Sequence, residues 1–349
     1  MSEDIWSEAN TTPDAIEAAM RELLRIRHAA NERLAPARVL NLVVIIDREW
    51  RGEIANRLER AGRYHASRTV LCSVQEGRRT LDAMASVASD EDASGGGVIH
   101  EGVEIDLGPG HLPDLQTIVD PVLIGEIPTI VWSPHGHEEA VRALLPLTDV
   151  ILLDSDEPLE PAEALARADA LREEVYVIDL AWLRTTPWRE RLAASYDLPS
   201  RLRALRCVEA VEVGHQERSC ASGLLLCGWL ASRLHWDRVH LSGGLGMYSA
   251  AMSRADGEVE VSLRSFEQEA PGLVGVTVTG GDGSSLALRR GLGGLDATEQ
   301  LADGAERRWK ILGASRGESG ILGEGVRQAL LRDPTYLPAL KAAREMCPI

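Results

Sequence analysis

Residues 39–47 read VLNLVVIID, and this nearly unbroken apolar run, rich in β-branched residues, decides the fold class. Such a run is typical of a strand that is buried on both faces of a parallel sheet. A helical stretch follows at 49–61 and ends at Gly62, and a second strand-like run, SRTVLCSV, occupies 67–74. A strand, a helix and a second strand in this order predict parallel pairing, because the helix returns the chain to the starting edge of the sheet.

The same alternation continues in both directions from this unit. An amphipathic helix is predicted at 14–34, with Thr12 or Asp14 as its cap. The run VIHEGVEIDL alternates apolar and polar residues, which favours a half-exposed strand at a sheet edge. Further strands are predicted at 127–132, 149–154 and 174–180, and helices near 112–123, 137–146 and 160–172. We therefore predict an α/β fold: an N-terminal helical segment at 1–34, then an α/β domain at 35–180 with a mostly parallel sheet flanked by helices.

The pattern changes after residue 180. A helix is predicted at 186–205, a strand at 206–213 and a buried helix at 219–235, because the last segment is apolar on almost every side. Three alternating runs between 257 and 290 predict an antiparallel meander. Closing helices are predicted near 323–331 and 335–346. These features predict a C-terminal α+β domain at 181–349.

The length and charge of the chain limit its partners. A chain of 349 residues is long enough for two domains. Its net charge of −17 disfavours nucleic acid and anionic membranes, since both attract clustered lysine and arginine. No apolar run approaches the roughly 20 residues of a membrane helix, and the polar, acidic N-terminus is unlike a secretory signal. We expect a soluble cytoplasmic protein that binds neither nucleic acid nor membrane.

The five cysteines are too few and too scattered for a disulfide framework. Cys220 and Cys227 lie seven residues apart in a predicted helix, which places them on one face but about 10 Å apart along its axis. That separation is too long for a disulfide. We interpret both as free thiols, with a redox role as the alternative.

A search for catalytic motifs finds none that is convincing. The sequence lacks a phosphate-binding loop, a zinc-protease motif, a nucleophile elbow and the protein-kinase motifs. Asp47 to Trp50 stand where a nucleotide-binding fold would place glycines. The motif HGHEE at 135–139 is interpreted as a solvated helix start in preference to a metal site. We therefore predict no catalytic residue, no cofactor and no metal ion.

The segment 179–206 differs from the rest of this acidic chain. Residues 184–206 contain six arginines and two acids, interleaved with aromatic residues. Tryptophan, tyrosine and arginine dominate the hot spots of protein interfaces. We predict partner-binding side chains here, whereas the alternative is that the tryptophans are core and the arginines cover acidic neighbours. The candidates are Trp182, Arg184, Trp188, Arg189 and Arg191.

Four segments resemble a known family. They are RVLNLVVIID (38–47), HASRTVLC (65–72), DLAWLRTTPWRE (179–190) and GWLASRLHW (228–236), and they resemble the OpcA family of glucose-6-phosphate dehydrogenase assembly proteins. The resemblance implies a non-enzymatic protein that binds oligomeric glucose-6-phosphate dehydrogenase and promotes its active oligomer or activity in the oxidative pentose phosphate pathway. It also implies a link to redox control in photosynthetic members. Ala66 stands where the family leads us to expect proline, and His235 where we expect glycine.

A different class of function stays open at this point. An α/β domain that binds or converts a sugar phosphate would use Arg184 and Arg189 together with Asp47 and Asp179. The aspartates end predicted parallel strands, where the sites of such sheets gather.

Overall fold

The computed structural model describes residues 2–32, 34–36, 38–62, 67–91, 97–157, 160–197, 204–313, 317–328 and 331–348. The chain forms two compact units. The first comprises Met1–Leu153, Leu171–Ile178 and Leu322–Leu330, and the second comprises Asp154–Ala170, Asp179–Ile321 and Leu331–Ile349. The predicted domain limits at residues 34 and 180 stay predictions.

The first sheet has nine strands in the order β1-β5-β6-β4-β3-β7-β8-β9, with β2 paired to β6. The run at 39–47 forms the inner strand β3, which pairs in parallel with β4 and β7, and Val43 to Ile46 are fully buried. The predicted mostly parallel sheet is therefore confirmed. The strands are β1 (Ser2–Glu8), β2 (Leu34–Pro36), β3 (Leu40–Asp47), β4 (Ser67–Val74), β5 (Asp82–Glu91), β6 (Gly97–Leu107), β7 (Thr129–Trp132), β8 (Val150–Leu153) and β9 (Tyr176–Asp179).

The prediction that VIHEGVEIDL lies at a sheet edge is wrong. These residues form β6, which is an inner strand paired antiparallel with β5 and parallel with β4. The strands β1 and β5 lie beyond it, and their sequences are rich in alanine, serine and acids. These two strands lack the apolar runs that mark β3 and β4 in the sequence. Apolar and polar residues alternate along β6 because one face of the sheet is more deeply buried there than the other.

Helices follow most of the strands along this part of the chain. They are α1 (Pro13–Ala30), α2 (Arg51–Gly62), α3 (Leu115–Val119), α4 (Glu138–Leu144) and α5 (Pro161–Leu171), with short 3-10 turns at Arg48–Trp50, Pro109–His111, Asp120–Val122 and Leu145–Leu147. The Thr12 hydroxyl caps α1 by accepting a hydrogen bond from Ala15 N at 3.3 Å. Among the described residues, no helix combines the length and apolar character needed to cross a bilayer.

The second sheet has eight strands in the order β11-β12-β13-β10-β14-β15-β16-β17. Its strands are β10 (Val208–Gln216), β11 (Ser242–Gly244), β12 (Met247–Arg254), β13 (Gly257–Phe266), β14 (Leu273–Gly280), β15 (Ser285–Gly291), β16 (Gly294–Gln300) and β17 (Glu306–Leu312). A meander of β14 to β17 is present, but the prediction that β13 belongs to it is wrong. β10 lies between β13 and β14 and pairs in parallel with β13, since a helical crossover separates β10 from the strands that follow it.

In the described residues after β9, the helices are α6 (Leu180–Ser195), α7 (Cys220–Leu234), α8 (Gly317–Gln328) and α9 (Tyr336–Met346), with a 3-10 turn at Leu205–Cys207. Helix α7 is buried along most of its length, as predicted. Gly228 allows α9 to approach closely, because a Cβ there would lie 2.4 Å from the Ala339 carbonyl oxygen. His235 ends α7 in the left-handed conformation at φ 56°. Glycine adopts that conformation most easily, which agrees with the family expectation at this position.

Candidate functional site: a buried arginine and its carboxylates

The start of α6 places an arginine beside several acids within the second unit. Asp154 follows β8 in the chain, and Asp156 and Glu157 lie in the turn after it. Asp179 caps α6 by accepting a hydrogen bond from Ala181 N at 2.9 Å. This cap starts α6 six residues before the predicted position and places Arg184 in its second turn. Pro187 lies within the helix.

Arg184 is buried and is bound by three carboxylates. Its Nη1 and Nη2 atoms donate to the two oxygens of Asp154 at 2.7 and 2.6 Å, which is the bidentate geometry that guanidinium favours. Its Nη2 and Nε atoms also donate to Glu318 at 2.7 and 3.2 Å, and Asp156 lies 3.4 Å from Nη1. Burial alone would lower the pKa of Arg184, but these carboxylates raise it above its ordinary value.

One guanidinium cannot neutralise three carboxylates, so the cluster has an excess of acid. Burial and the nearby Asp154 raise the pKa of Asp156 to about 7. Ser222 holds the same carboxyl group through its backbone N at 3.0 Å and its hydroxyl at 2.5 Å. Burial likewise raises the pKa of Glu157 to about 9, although Arg167 lies 3.6 Å away. Part of the acid in this cluster is therefore protonated at neutral pH.

Asp179 is a further buried acid of the cluster. Its oxygens accept hydrogen bonds from Ser155 N at 3.0 Å, from the Ser155 hydroxyl at 2.7 Å and from the Tyr336 hydroxyl at 3.1 Å. Burial raises the pKa of Asp179 to about 6 despite these donors. The carboxyl group ties the start of α6 to the turn after β8 and to α9, which is a structural role.

Aromatic and basic side chains pack against one another beside this cluster. The Arg189 guanidinium lies 3.5 Å from the centroid of the Trp182 ring, a cation–π contact. The Trp182 indole donates to Asp333 at 2.9 Å, and Asp333 also lies 3.5 Å from Arg189. Burial lowers the pKa of Arg189 to about 10. Tyr336 lies next to Trp182, with ring centroids 5.5 Å apart.

The predicted partner-binding residues differ in their exposure. Trp182, Trp188, Arg184 and Arg189 are buried, with 2 to 9% of their surface exposed, and the two arginines are held by acids of their own unit. Arg191 is exposed. The burial of the first four favours the alternative in which they form the core, while their role in partner binding stays a prediction. Arg201 and Arg203 of the same segment lie outside the described residues.

The two candidate redox thiols are also shielded. Cys227 is buried and Cys220 is partly buried, and burial raises the pKa of each thiol to about 12. Redox chemistry needs the thiolate, which such a pKa disfavours at neutral pH. A redox role for this pair stays a prediction, and the burial weighs against it.

The histidines of HGHEE lie near Asp47 in the first unit. His137 Nε2 lies 3.1 Å from Asp47 Oδ1, and the His135 ring lies 5.5 Å from the Trp50 ring. His137 precedes α4 in the left-handed conformation, at φ 41°. Within the described ranges, no group of three or more histidine, cysteine or acidic side chains has the arrangement of a metal site.

Comparison with known proteins identifies the family. Residues 58–170 match the model described as the glucose-6-phosphate dehydrogenase subunit N-terminal domain of OpcA. Residues 175–339 match the corresponding C-terminal domain model. The chain belongs to the OpcA family. The family resemblance seen in the four sequence segments is thereby confirmed.

Curated relatives that carry the OpcA name come from Nostoc punctiforme and Synechococcus elongatus. A Nostoc punctiforme protein, provisionally named OxPP cycle protein OpcA, is 30% identical over 190 residues, which is 53% of this chain and 39% of that protein. A protein of the same name from Synechococcus elongatus is 29% identical over 216 residues, which is 58% of this chain and 48% of the relative. The chain therefore spans less than half of the length of these relatives.

Solved structures match the chain more distantly. Biliverdin reductase from Synechocystis sp. PCC 6803 gives a TM-score of 0.49 at 13% identity, over 89% of this chain and 98% of that one. An oxidoreductase from Sinorhizobium meliloti gives 0.46 at 12% identity, over 88% and 96%. Similarity at this level carries no information on function.

Proposed function

We propose that this OpcA family protein is a non-catalytic partner of oligomeric glucose-6-phosphate dehydrogenase that promotes the enzyme's active oligomer or activity. It would thereby support the oxidative pentose phosphate pathway. The observation that carries the proposal is the pair of domain models, both described as parts of a glucose-6-phosphate dehydrogenase subunit, which match in order along residues 58–339. The relatives' names, which refer to the OxPP cycle, point the same way.

The contacts of the buried cluster support a structural role for the polar residues at the start of α6. Four of the five Arg184 hydrogen bonds go to two carboxylates, Asp154 and Glu318, and Ser155 and Tyr336 hold Asp179. A sugar phosphate would have to displace carboxylates from Arg184 before it could bind there. The arrangement therefore supports a scaffold for a binding protein more than a sugar-phosphate site.

The proposal is tested with the purified chain and its cognate dehydrogenase. We expect the two to co-elute from a sizing column at micromolar concentration, and we expect the dehydrogenase activity to rise when the chain is added. The chain alone should not oxidise glucose-6-phosphate with NADP. No co-elution and no kinetic change, under both reducing and oxidising conditions, would contradict the proposal.

Two variants ask whether α6 takes part in the contact. Arg191→Glu reverses an exposed charge on α6, whereas Arg21→Glu reverses an exposed charge on α1. If α6 contacts the dehydrogenase, Arg191→Glu weakens binding and raises the dissociation constant of the complex at low salt. Arg21→Glu leaves binding unchanged. Equal binding by both variants would place the contact elsewhere on the chain.

A further inference from the structure

The eight-stranded sheet of the second unit has one covered face and one open face. The covered face carries fully buried residues such as Val211, Val213 and Leu263. Helix α7 packs on it so closely that a Cβ at Gly223 would lie 2.5 Å from the Leu263 Cδ1 atom. The residues between these point to the other side of the sheet, because side chains alternate along a strand.

The open face is defined by one row of paired residues across six neighbouring strands. The row is Ser249, Ser262, Glu212, Thr277, Ala287 and Thr298. Each of them is exposed or half-buried, although their neighbours on the covered face are buried. Five of the six are small, and the next row contains Gly214 and Gly275. The middle of the open face therefore carries few bulky side chains, and the Phe266 ring lies over Gly214, where a Cβ would be 2.9 Å from the ring.

Charges of opposite sign lie on the two sides of this row. On one side is the basic margin, formed by Arg264 and Arg289, while Lys310 of the same row is neutralised by Asp296 at 3.5 Å. On the other side is the acidic margin, formed by Glu258 and Glu260, while Glu306 beside it is paired with Arg308, which continues the middle row on β17. Phe266 and Met247, which are 41% and 53% exposed, lie beside the basic margin. The open face is thus polarised along the direction of its strands.

We propose that the open face is an isologous interface between two copies of this chain, with the two-fold axis running across the strands. Such an axis keeps each strand opposite itself and reverses its direction, so the basic margin of one copy lies over the acidic margin of the other. An axis that passes over Val261 brings Arg264 opposite Glu258 of the second copy. An axis along the strands would instead bring like charges together, which disfavours it.

The size of the open face suits a stable dimer. Six strands spaced about 4.8 Å apart, each with at least seven residues, cover on the order of 25 Å by 25 Å. With the flanking Phe266 and Met247 side chains, this area approaches the roughly 800 Å² per partner of a standard interface. The inference concerns the chain alone and does not depend on the proposed binding of the dehydrogenase.

The test is a charge swap measured by sedimentation of the purified chain without dehydrogenase. We expect a dimer in the micromolar range whose dissociation constant rises with salt. Arg264→Glu should weaken it about tenfold, because an opposite-charge contact becomes a like-charge contact. The double variant Arg264→Glu with Glu258→Arg should restore the original constant, since the swapped margins are again complementary. Restoration would show that charge complementarity, and not the loss of the arginine side chain itself, determines the dissociation constant.

The matched control is the exposed ion pair between Arg25 and Glu22 on α1, whose atoms lie 2.7 Å apart. Arg25→Glu should leave the dissociation constant unchanged. A chain that is monomeric at high micromolar concentration overturns the proposal, and so does a dimer that does not respond to Arg264→Glu. If the chain is monomeric and Arg264→Glu weakens dehydrogenase binding without rescue by the swap, the proposed dimer is wrong. The open face is then a surface that binds the dehydrogenase.

Discussion

Each compact unit contains a buried cluster of arginine and acid, and the charge ratios of these two clusters are opposite. In the first unit, Arg68 and Arg38 both bind Glu101, with their Nε atoms 2.6 Å from its oxygens, so two cations share one buried acid. In the second unit, Arg184 alone binds Asp154, Glu318 and Asp156. A buried charge is tolerated only when it is paired. The comparison predicts that loss of a single arginine has very different costs in the two units.

The largest effect is expected for Arg184→Ala. The substitution leaves three carboxylates near one another with no cation, and the free energy of unfolding should fall by about 3–5 kcal/mol at pH 7. Urea unfolding followed by circular dichroism measures this. Arg191→Ala on the same helix is the control and should change the free energy by less than about 0.5 kcal/mol, since Arg191 is exposed. Similar costs for the two variants would mean that the cluster does not stabilise the fold.

The pH dependence of the second unit should follow its excess acid. Burial raises the pKa of Asp156 to about 7 and that of Asp179 to about 6, above their ordinary value of 3.8. The folded chain therefore binds more protons than the unfolded chain between about pH 4 and pH 7. As pH rises through that window, ionisation of these two groups lowers the free energy of unfolding.

Asp156→Asn isolates this contribution. The amide cannot ionise. The free energy of unfolding of the variant, relative to that of the wild type, should therefore rise by about 1–3 kcal/mol between pH 5 and pH 8. Unfolding curves at four pH values give the difference. Asp282→Asn is the control, because the Asp282 pKa is lowered by its hydrogen bonds to Ser284 and the group stays ionised throughout this range. A parallel pH profile for wild type and Asp156→Asn would contradict the prediction.

The smallest effect is expected for Arg38→Ala in the first unit. Glu101 keeps its bond to the buried Arg68, which also donates to the Val122 carbonyl at 2.9 Å. The Arg38 side chain is about one third exposed, and its removal should cost less than about 1 kcal/mol. Thermal unfolding of this variant beside Arg184→Ala completes the comparison. A cost as large as that of Arg184→Ala would show that the charge ratio does not decide the outcome.

Local sequence determined much of the first sheet and little of the cluster. The strand β3 was predictable because its burial on both faces needs an unbroken apolar run, and α1 because Thr12 and a regular apolar spacing mark its start. The strand β5 was missed because its alternating alanine and serine carry little hydrophobic signal. The inner position of β6 depends on β5 and could not be predicted without it.

The composition of the segment 179–206 singled out its arginine and tryptophan residues, but it did not predict which side chains they contact. Arg184 binds Asp154, 30 residues earlier, and Glu318, 134 residues later, while Trp182 binds Asp333 at a separation of 151 residues. Residue spacing gives no information on pairs so far apart in the chain. By itself, the sequence determined the fold class, the family and the unusual content of α6. Only the tertiary structure decided which side chains are buried and how they are neutralised, because both depend on where folding brings distant carboxylates.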